Sequence, residues 1–243
     1  MLLVVANKGD PRGPALRQAW DGAGLLTPAD LSQRGWSFDP SDPQAGQAVI
    51  EGRRVQARDI RGICALLPAV AGSDLRHITA TDRSYVAAEL TAFLAAWLVC
   101  MPCPKVNPPS PVGLSGPNWR PERWICTAAR LGLPVRGAAR TAVPGTAHTV
   151  APGMEPEPAD GGTRHTIVVA GTEVIGAAES GDGHDALAEW AARLAGASGA
   201  RMLNVHIGAD ARGPFVLGAD VCVDTSRPGV ADALRRELTG RAP

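Results

Sequence analysis

Residues 201–229 read "RMLNVHIGADARGPFVLGADVCVDTSRPG". Apolar residues alternate with small or polar ones on both sides of Asp210–Gly213, the pattern of two strands joined by a turn. The second run ends in acids, Asp220 and Asp224, just before a Pro-Gly turn. Carboxylates at a strand end are hard oxygen donors in a position that can hold a metal ion. "GVADALRRELTG" (229–240) then closes the chain as an amphipathic helix between two glycines.

Working towards the N-terminus, residues 184–195 show helical spacing through Leu187, Trp190, Ala191 and Leu194. "RHTIVVAGTEVIGAAE" (164–179) places two apolar runs around Ala170-Gly171-Thr172, which reads as another hairpin. "VPGTAHTVAPGMEPEPADGGT" (143–163) has no periodicity and is rich in Pro and Gly, so it reads as a loop. In "NWRPERWICTAARLGLPV" (118–135), Pro121 suits a first helical turn and Gly132 a helix end. The first 111 residues alternate strand and helix. "LLVVA" (2–6) is a strand, 14–23 a helix, and "QAVIEGRRVQARDI" (47–60) a hairpin turning at Glu51-Gly52. "GICALLP" (62–68) is a buried strand, 81–100 a helix capped at Thr81 or Asp82, and "KVNPPSP" (105–111) a short strand entering a Pro-rich linker. Two domains are expected, 1–111 as a small α/β layer and 112–243 as a second region.

The bulk numbers exclude several classes. The 243 residues carry 24 basic and 24 acidic side chains, so no basic excess marks a nucleic-acid or anionic-membrane partner. Hydrophobic content of 45% suits a globular chain with a core. "VAAELTAFLAAWLVCMP" (86–102) is apolar but short for a span and contains Glu89, so a buried helix is expected. "MLLVVANKGD" reads as a strand rather than a targeting leader, and a cytoplasmic protein is expected. Five cysteines, an odd number, argue against a disulfide framework.

Taken in order, these pieces resemble the ATP-grasp superfamily, and within it the peptide- and ribosomal-protein-modifying carboxylate–amine ligases. The residues that carry the resemblance are "TDRSYVAAELTAFLAAWL", "KVNPPSP", "NWRPERWICTAARLGLPV", "RHTIVVAGTEVIGAAE" beginning at Arg164, and "NVHIGADARGPFVLGAD". The resemblance implies an ATP-grasp-like α/β plus α+β fold: a small N-terminal α/β domain, then an ATP-grasp region shortened to the loop at 143–163. It also implies ATP, magnesium and an acyl-phosphate. Against that pattern the chain departs three times. The family holds phosphates with lysines, yet no lysine follows Lys105. Arg120, Arg123, Arg140 and Arg164 are the cations available instead, and a guanidinium does not reproduce a compact ammonium. The Gly-rich loop is reduced to Gly161-Gly162. The metal set of Asp, then Glu-x-Asn, falls on His206, Gly218 and Asp220, so His206 and Asp220 are remnant positions with one carboxylate between them.

Other constellations read more plainly as structure. Cys100-Met-Pro-Cys103 has no second pair for zinc and sits at the end of a helix, where the dipole disfavours a thiolate. His184 with Asp182 and Asp185 reads as helix-start capping. Asp82, Arg83, Tyr85 and Glu89 form the most polar cluster of the first domain. The resemblance puts that region beside the cleft, and an ordinary exposed helix face accounts for it equally. The expectation is a relative without ligase turnover or cofactor, acting as an accessory or binding protein for a peptide or partner enzyme in a peptide or natural-product modification pathway. Two alternatives stand beside it. One is an active atypical ligase with ATP on the four arginines and magnesium on Asp220 and a neighbour. The other is a structural subunit that forms a homodimer.

Overall fold

The computed structural model describes residues 1–136, 163–177 and 184–240. Arg140, Asp182 and the segment 143–162 lie outside the described residues. The N-terminal half builds a parallel sheet from β1 (Leu2–Val5), β2 (Gly24–Leu26), β5 (Gly62–Ala65) and β6 (Lys105–Val106), in the order β2-β1-β5-β6. The C-terminal half builds an antiparallel sheet from β7 (Thr163–Ala170), β8 (Glu173–Ile175), β9 (Met202–Asp210) and β10 (Gly213–Asp220), in the order β10-β9-β7-β8. The expected hairpin is β3 (Gln47–Ile50) and β4 (Arg53–Gln56), with Glu51 and Gly52 both at positive φ, as a two-residue turn of matching twist requires.

Each sheet is sandwiched because its strands are apolar on both faces. On the parallel sheet, Leu3, Val5, Leu26 and Ile63 face α3 (Arg83–Cys100) and the β3–β4 hairpin. Val4, Ala6, Cys64 and Val106 face the other way, into a core completed by Leu16 of α1 (Arg12–Ala19) and Leu234 of α6 (Val230–Thr239). Val168, Ala170 and Met202 of the antiparallel sheet join that same core, so the two sheets share it. The opposite face of the antiparallel sheet carries Ile167, Val169, Val205 and Ile207 against Trp124 of α4 (Pro121–Arg130) and Leu194 of α5 (His184–Ser198). A four-residue helix, α2 (Pro28–Leu31), is held by a capping box between Thr27 and Asp30.

Two expectations need adjusting. The first helix runs over 12–19 rather than 14–23, because the backbone leaves the helical region at Trp20. The apolar helix α3 is buried only along its inner face, through Ala87, Leu94, Trp97 and Leu98. It is long and apolar enough by composition to cross a membrane, and its outer face remains exposed.

One side chain fastens the sheets together. Asn107, immediately after β6, is fully buried and holds φ 54°, a left-handed conformation that asparagine tolerates better than most residues. Its Nδ2 donates to Met202 O at 2.7 Å, and its Oδ1 accepts from Arg201 N at 2.8 Å and Met202 N at 3.0 Å. The side chain thus imitates a strand partner for the start of β9. Removing it leaves two backbone donors and a carbonyl without partners in an apolar setting. Asn107→Ala is expected to destabilise the protein by about 2–4 kcal/mol, read from the midpoint of urea unfolding. Asn107→Asp should also destabilise, because a carboxylate would then face the Met202 carbonyl.

Candidate functional site

Strand register assembles the site. Thr166 of β7 lies opposite His206 of β9, which lies opposite Gly218 of β10. Asn204 lies opposite Asp220. With alternate residues sharing a face, Thr166, Asn204, His206 and Asp220 all fall on the side turned away from α4 and α5. A bulge between Val216 and Gly218 shifts β10.

The four side chains form one hydrogen-bonded chain. His206 Nε2 lies 2.6 Å from Asp220 Oδ2, and His206 Nδ1 lies 3.1 Å from Thr166 Oγ1. Asp220 Oδ1 accepts from Asn204 Nδ2 at 3.1 Å and from Cys222 N at 2.6 Å. With Asp220 ionised, Nε2 donates, and a neutral ring accepts the Thr166 hydroxyl at Nδ1. The group is secluded, since His206 is 4% and Asn204 9% exposed. Burial alone would raise the Asp220 pKa, but the bonds from His206, Cys222 N and Asn204 outweigh it and hold the carboxyl below its ordinary value.

Residues from the first half border this group. Arg12 is paired with Asp10 at 2.6 Å and interacts with Cys222. Burial pushes the Cys222 thiol up, and the Asp220 charge adds to this while Arg12 opposes it, so the group is not poised as a thiolate. Cys64, entirely enclosed, is pushed up to about 12 by burial. Arg227 donates through Nη1 to Thr166 O at 3.0 Å, tying the segment after β10 back to β7.

The structure brings together only part of the residues singled out in the sequence. His206 and Asp220 meet directly. Arg164 lies on β7 opposite Gly208, on the same face as Thr166 and two residues from it. Arg120 and Arg123 lie elsewhere. Arg120 precedes α4 and is exposed, and Arg123 stacks over the Trp119 ring at 4.0 Å in a surface hollow of about 500 Å³ beside Ala197 of α5. The sheet separates Arg123 from Arg164. Asp82, at the N-cap of α3, and Arg83, Tyr85 and Glu89, on α3, lie on the face of the parallel sheet turned away from the antiparallel sheet, and not beside His206 and Asp220. The Arg83 guanidinium there is bound to the carbonyls of Ile78 and Arg76. Sequence reasoning missed Thr166, Asn204, Arg12 and Arg227, because each joins the group through strand pairing or chain return and none carries a local motif.

Magnesium fits this donor set poorly. Mg²⁺ asks for octahedral oxygen donors, with one or two free carboxylates. Here the Asp220 carboxylate has both oxygens engaged by donors, one of them an imidazole, and Asp210, the other carboxylate of the hairpin, is paired with Arg136. Among the described residues, no group of three or more His, Cys, Asp or Glu is placed to hold a metal ion.

No family model and no curated protein matches the chain at the level of sequence. Solved structures do match in fold. The macrocyclase MdnC of Microcystis aeruginosa MRC, bound with precursor peptide MdnA, superposes with a TM-score of 0.70 at 10% identity over 99% of each chain. The chain has an ATP-grasp-like fold. The ATP-grasp ligase PsnB, complexed with a phosphomimetic variant of its minimal precursor, Mg and ADP, gives 0.62 at 16% identity over 98% of this chain and 97% of that one. A RiPP-associated ATP-grasp ligase of Chryseobacterium gregarium, in complex with ADP and a leader and core peptide, gives 0.61 at 8% identity over 100% and 97%. The fold expected from the order of the sequence pieces is therefore the fold observed. On the closing hairpin β9–β10 of this ATP-grasp-like chain, His206 and Asp220 bond to each other.

The lowered Asp220 pKa fixes a sign for acid sensitivity. A carboxyl whose folded pKa lies below its unfolded value of ~3.9 adds stability above that value and loses it as pH falls through the folded pKa. Asp220→Asn should therefore flatten the acid limb of stability between about pH 5 and 2, without abolishing it, because Asp10, Asp210 and Asp224 are also held low. Urea unfolding midpoints across that range, compared with the unsubstituted protein, provide the check.

Proposed function

We propose that this protein is a peptide-binding relative of the ATP-grasp ligases that works beside a catalytic partner enzyme and does not itself turn over ATP. The observation that carries the reading is the His206–Asp220 pair, 2.6 Å apart, on the closing hairpin. A phosphoryl-transfer site depends on positioned, available charge around metal and phosphate. Here the Asp220 carboxylate is spent on an imidazole, a backbone N–H and an amide. The placement of Arg123 on the far side of the sheet from Arg164 supports the same reading. So does the absence of lysine after Lys105.

The peptide part of the proposal rests on the fold neighbours, three of which are described as complexes with precursor peptides or leader and core peptides. A scaffold that keeps such a fold while losing ligase chemistry retains a use as a binding surface.

Calorimetric titration of ATP with magnesium into the purified protein, with ADP as control, tests the proposal. No saturable heat at millimolar nucleotide is the expected result. Magnesium-dependent binding in the micromolar range would sink it and favour the atypical ligase.

A further inference from the structure

The face of α4 turned away from the core carries positive charge that the fold does not use. Arg123, Cys126, Thr127 and Arg130 recur at the three- and four-residue spacing of one helical stripe, and with Trp119 and Ala197 they line a hollow of about 500 Å³. Among the described residues, no carboxylate lies within ion-pair distance of Arg120, Arg123 or Arg130. Glu122, the one acid among the lining residues, does not stand free.

Two of these cations stand where helix stability does not ask for them. Arg120 is the N-cap of α4 and Arg123 its third residue, at the end where the helix dipole is itself positive. The Trp119 ring holds Arg123 there, 4.0 Å from its guanidinium, and Trp119 rests in turn on buried Trp124, with ring centroids 4.5 Å apart. Stacking on an indole fixes the plane of a guanidinium and leaves the N–H fork at its edge open, which is the geometry that takes a carboxylate.

The spacing of the arginines selects the occupant. Arg123 and Arg130 are seven residues apart on α4, two turns and about 10.5 Å along the axis. One carboxylate or one phosphate group does not span that distance. An extended chain presents side chains of one face at about 6.8 or 13.6 Å. A helix presents residues seven apart on one face at the same distance of about 10.5 Å as the arginines. Between the two cations, the Cys126 thiol, Ala197 and the indole offer a weakly polar floor that suits a small apolar side chain. The balance of 24 basic and 24 acidic side chains gives no support to nucleic acid as the anion.

We propose that this hollow docks an acidic amphipathic helix of a partner polypeptide. Two carboxylates seven residues apart pair with Arg123 and Arg130, and a small apolar residue between them packs against Trp119 and Ala197. The α4–α5 side of the antiparallel sheet is opposite to the side that carries His206 and Asp220, so this docking stands or falls separately from nucleotide binding.

Fluorescence anisotropy with a labelled alanine-based helical peptide carrying two glutamates seven residues apart tests the proposal. Binding is expected at about 10–100 µM in dilute buffer, weakening as salt is raised. Arg123→Gln and Arg130→Gln should each weaken it about fivefold and together roughly twentyfold, with circular dichroism unchanged. Arg58→Gln, at an exposed position in the first half of the chain, should leave it unaltered. A peptide with its glutamates five residues apart, and so on different faces, should lose most of the affinity. Bound peptide should also slow maleimide labelling of Cys126, the exposed thiol between the arginines, and leave the rate at exposed Cys222 unchanged. No binding at about 1 mM peptide, equal affinity after the double substitution, or indifference to glutamate spacing overturns the proposal. So does slow labelling of Cys126 in the free protein, because the hollow is then already filled.

Discussion

Asn107 sits where the parallel sheet ends and the antiparallel sheet begins, and its three hydrogen bonds to Arg201 and Met202 are what set one sheet against the other. A side-chain amide replaces a strand neighbour there, so β9 starts beside β6 without pairing to it. The requirements reach further than those bonds. The left-handed backbone at Asn107 turns the chain into the Pro-rich segment, and Gly116 comes back so close that a Cβ there would lie 2.8 Å from the Asn107 Cβ. Once β9 is fixed, β7 and β10 follow by pairing on either side of it. The shared core of Val106, Val168, Met202 and Leu234 closes over the junction.

From that placement comes the character of the candidate site. The face of β9 that carries Asn204 and His206 is the same face that buries Met202 against the first half. Polar groups on such a face must find partners among themselves. They do so by forming the chain Thr166–His206–Asp220–Asn204, with Cys222 N completing the carboxylate. A carboxylate satisfied in this way contributes stability, and the same donors make it a poor ligand. On this hairpin the polar side chains satisfy one another within the fold.

The far side of the parallel sheet is built on aromatic contacts. Trp36, Phe93 and Trp97 pack edge-to-face under α3, with ring centroids 5.3 and 5.5 Å from Trp36, and give the helix a firm inner seat. Among the described residues, its outer face has no such neighbour.

Much of this was legible in the sequence. Strand alternation around Asp210–Gly213, the Glu51-Gly52 turn, Pro121 opening α4 and Gly229 and Gly240 flanking α6 are local signals, because turns, caps and face alternation are decided within a few residues. The linear order of these pieces was enough to anticipate the ATP-grasp-like fold. What the chain alone could not settle is which polar residues meet. Thr166 and His206 are 40 residues apart, and Asn107 and Met202 are 95 apart. Their contacts exist only because strands pair in one register and the chain returns to one core. Arg120, Arg123 and Arg164 looked equivalent as cations along the sequence, and the sheet between Arg123 and Arg164 is what makes them different. Local structure follows from nearest neighbours, whereas a site is a coincidence of distant ones and depends on packing to bring it about.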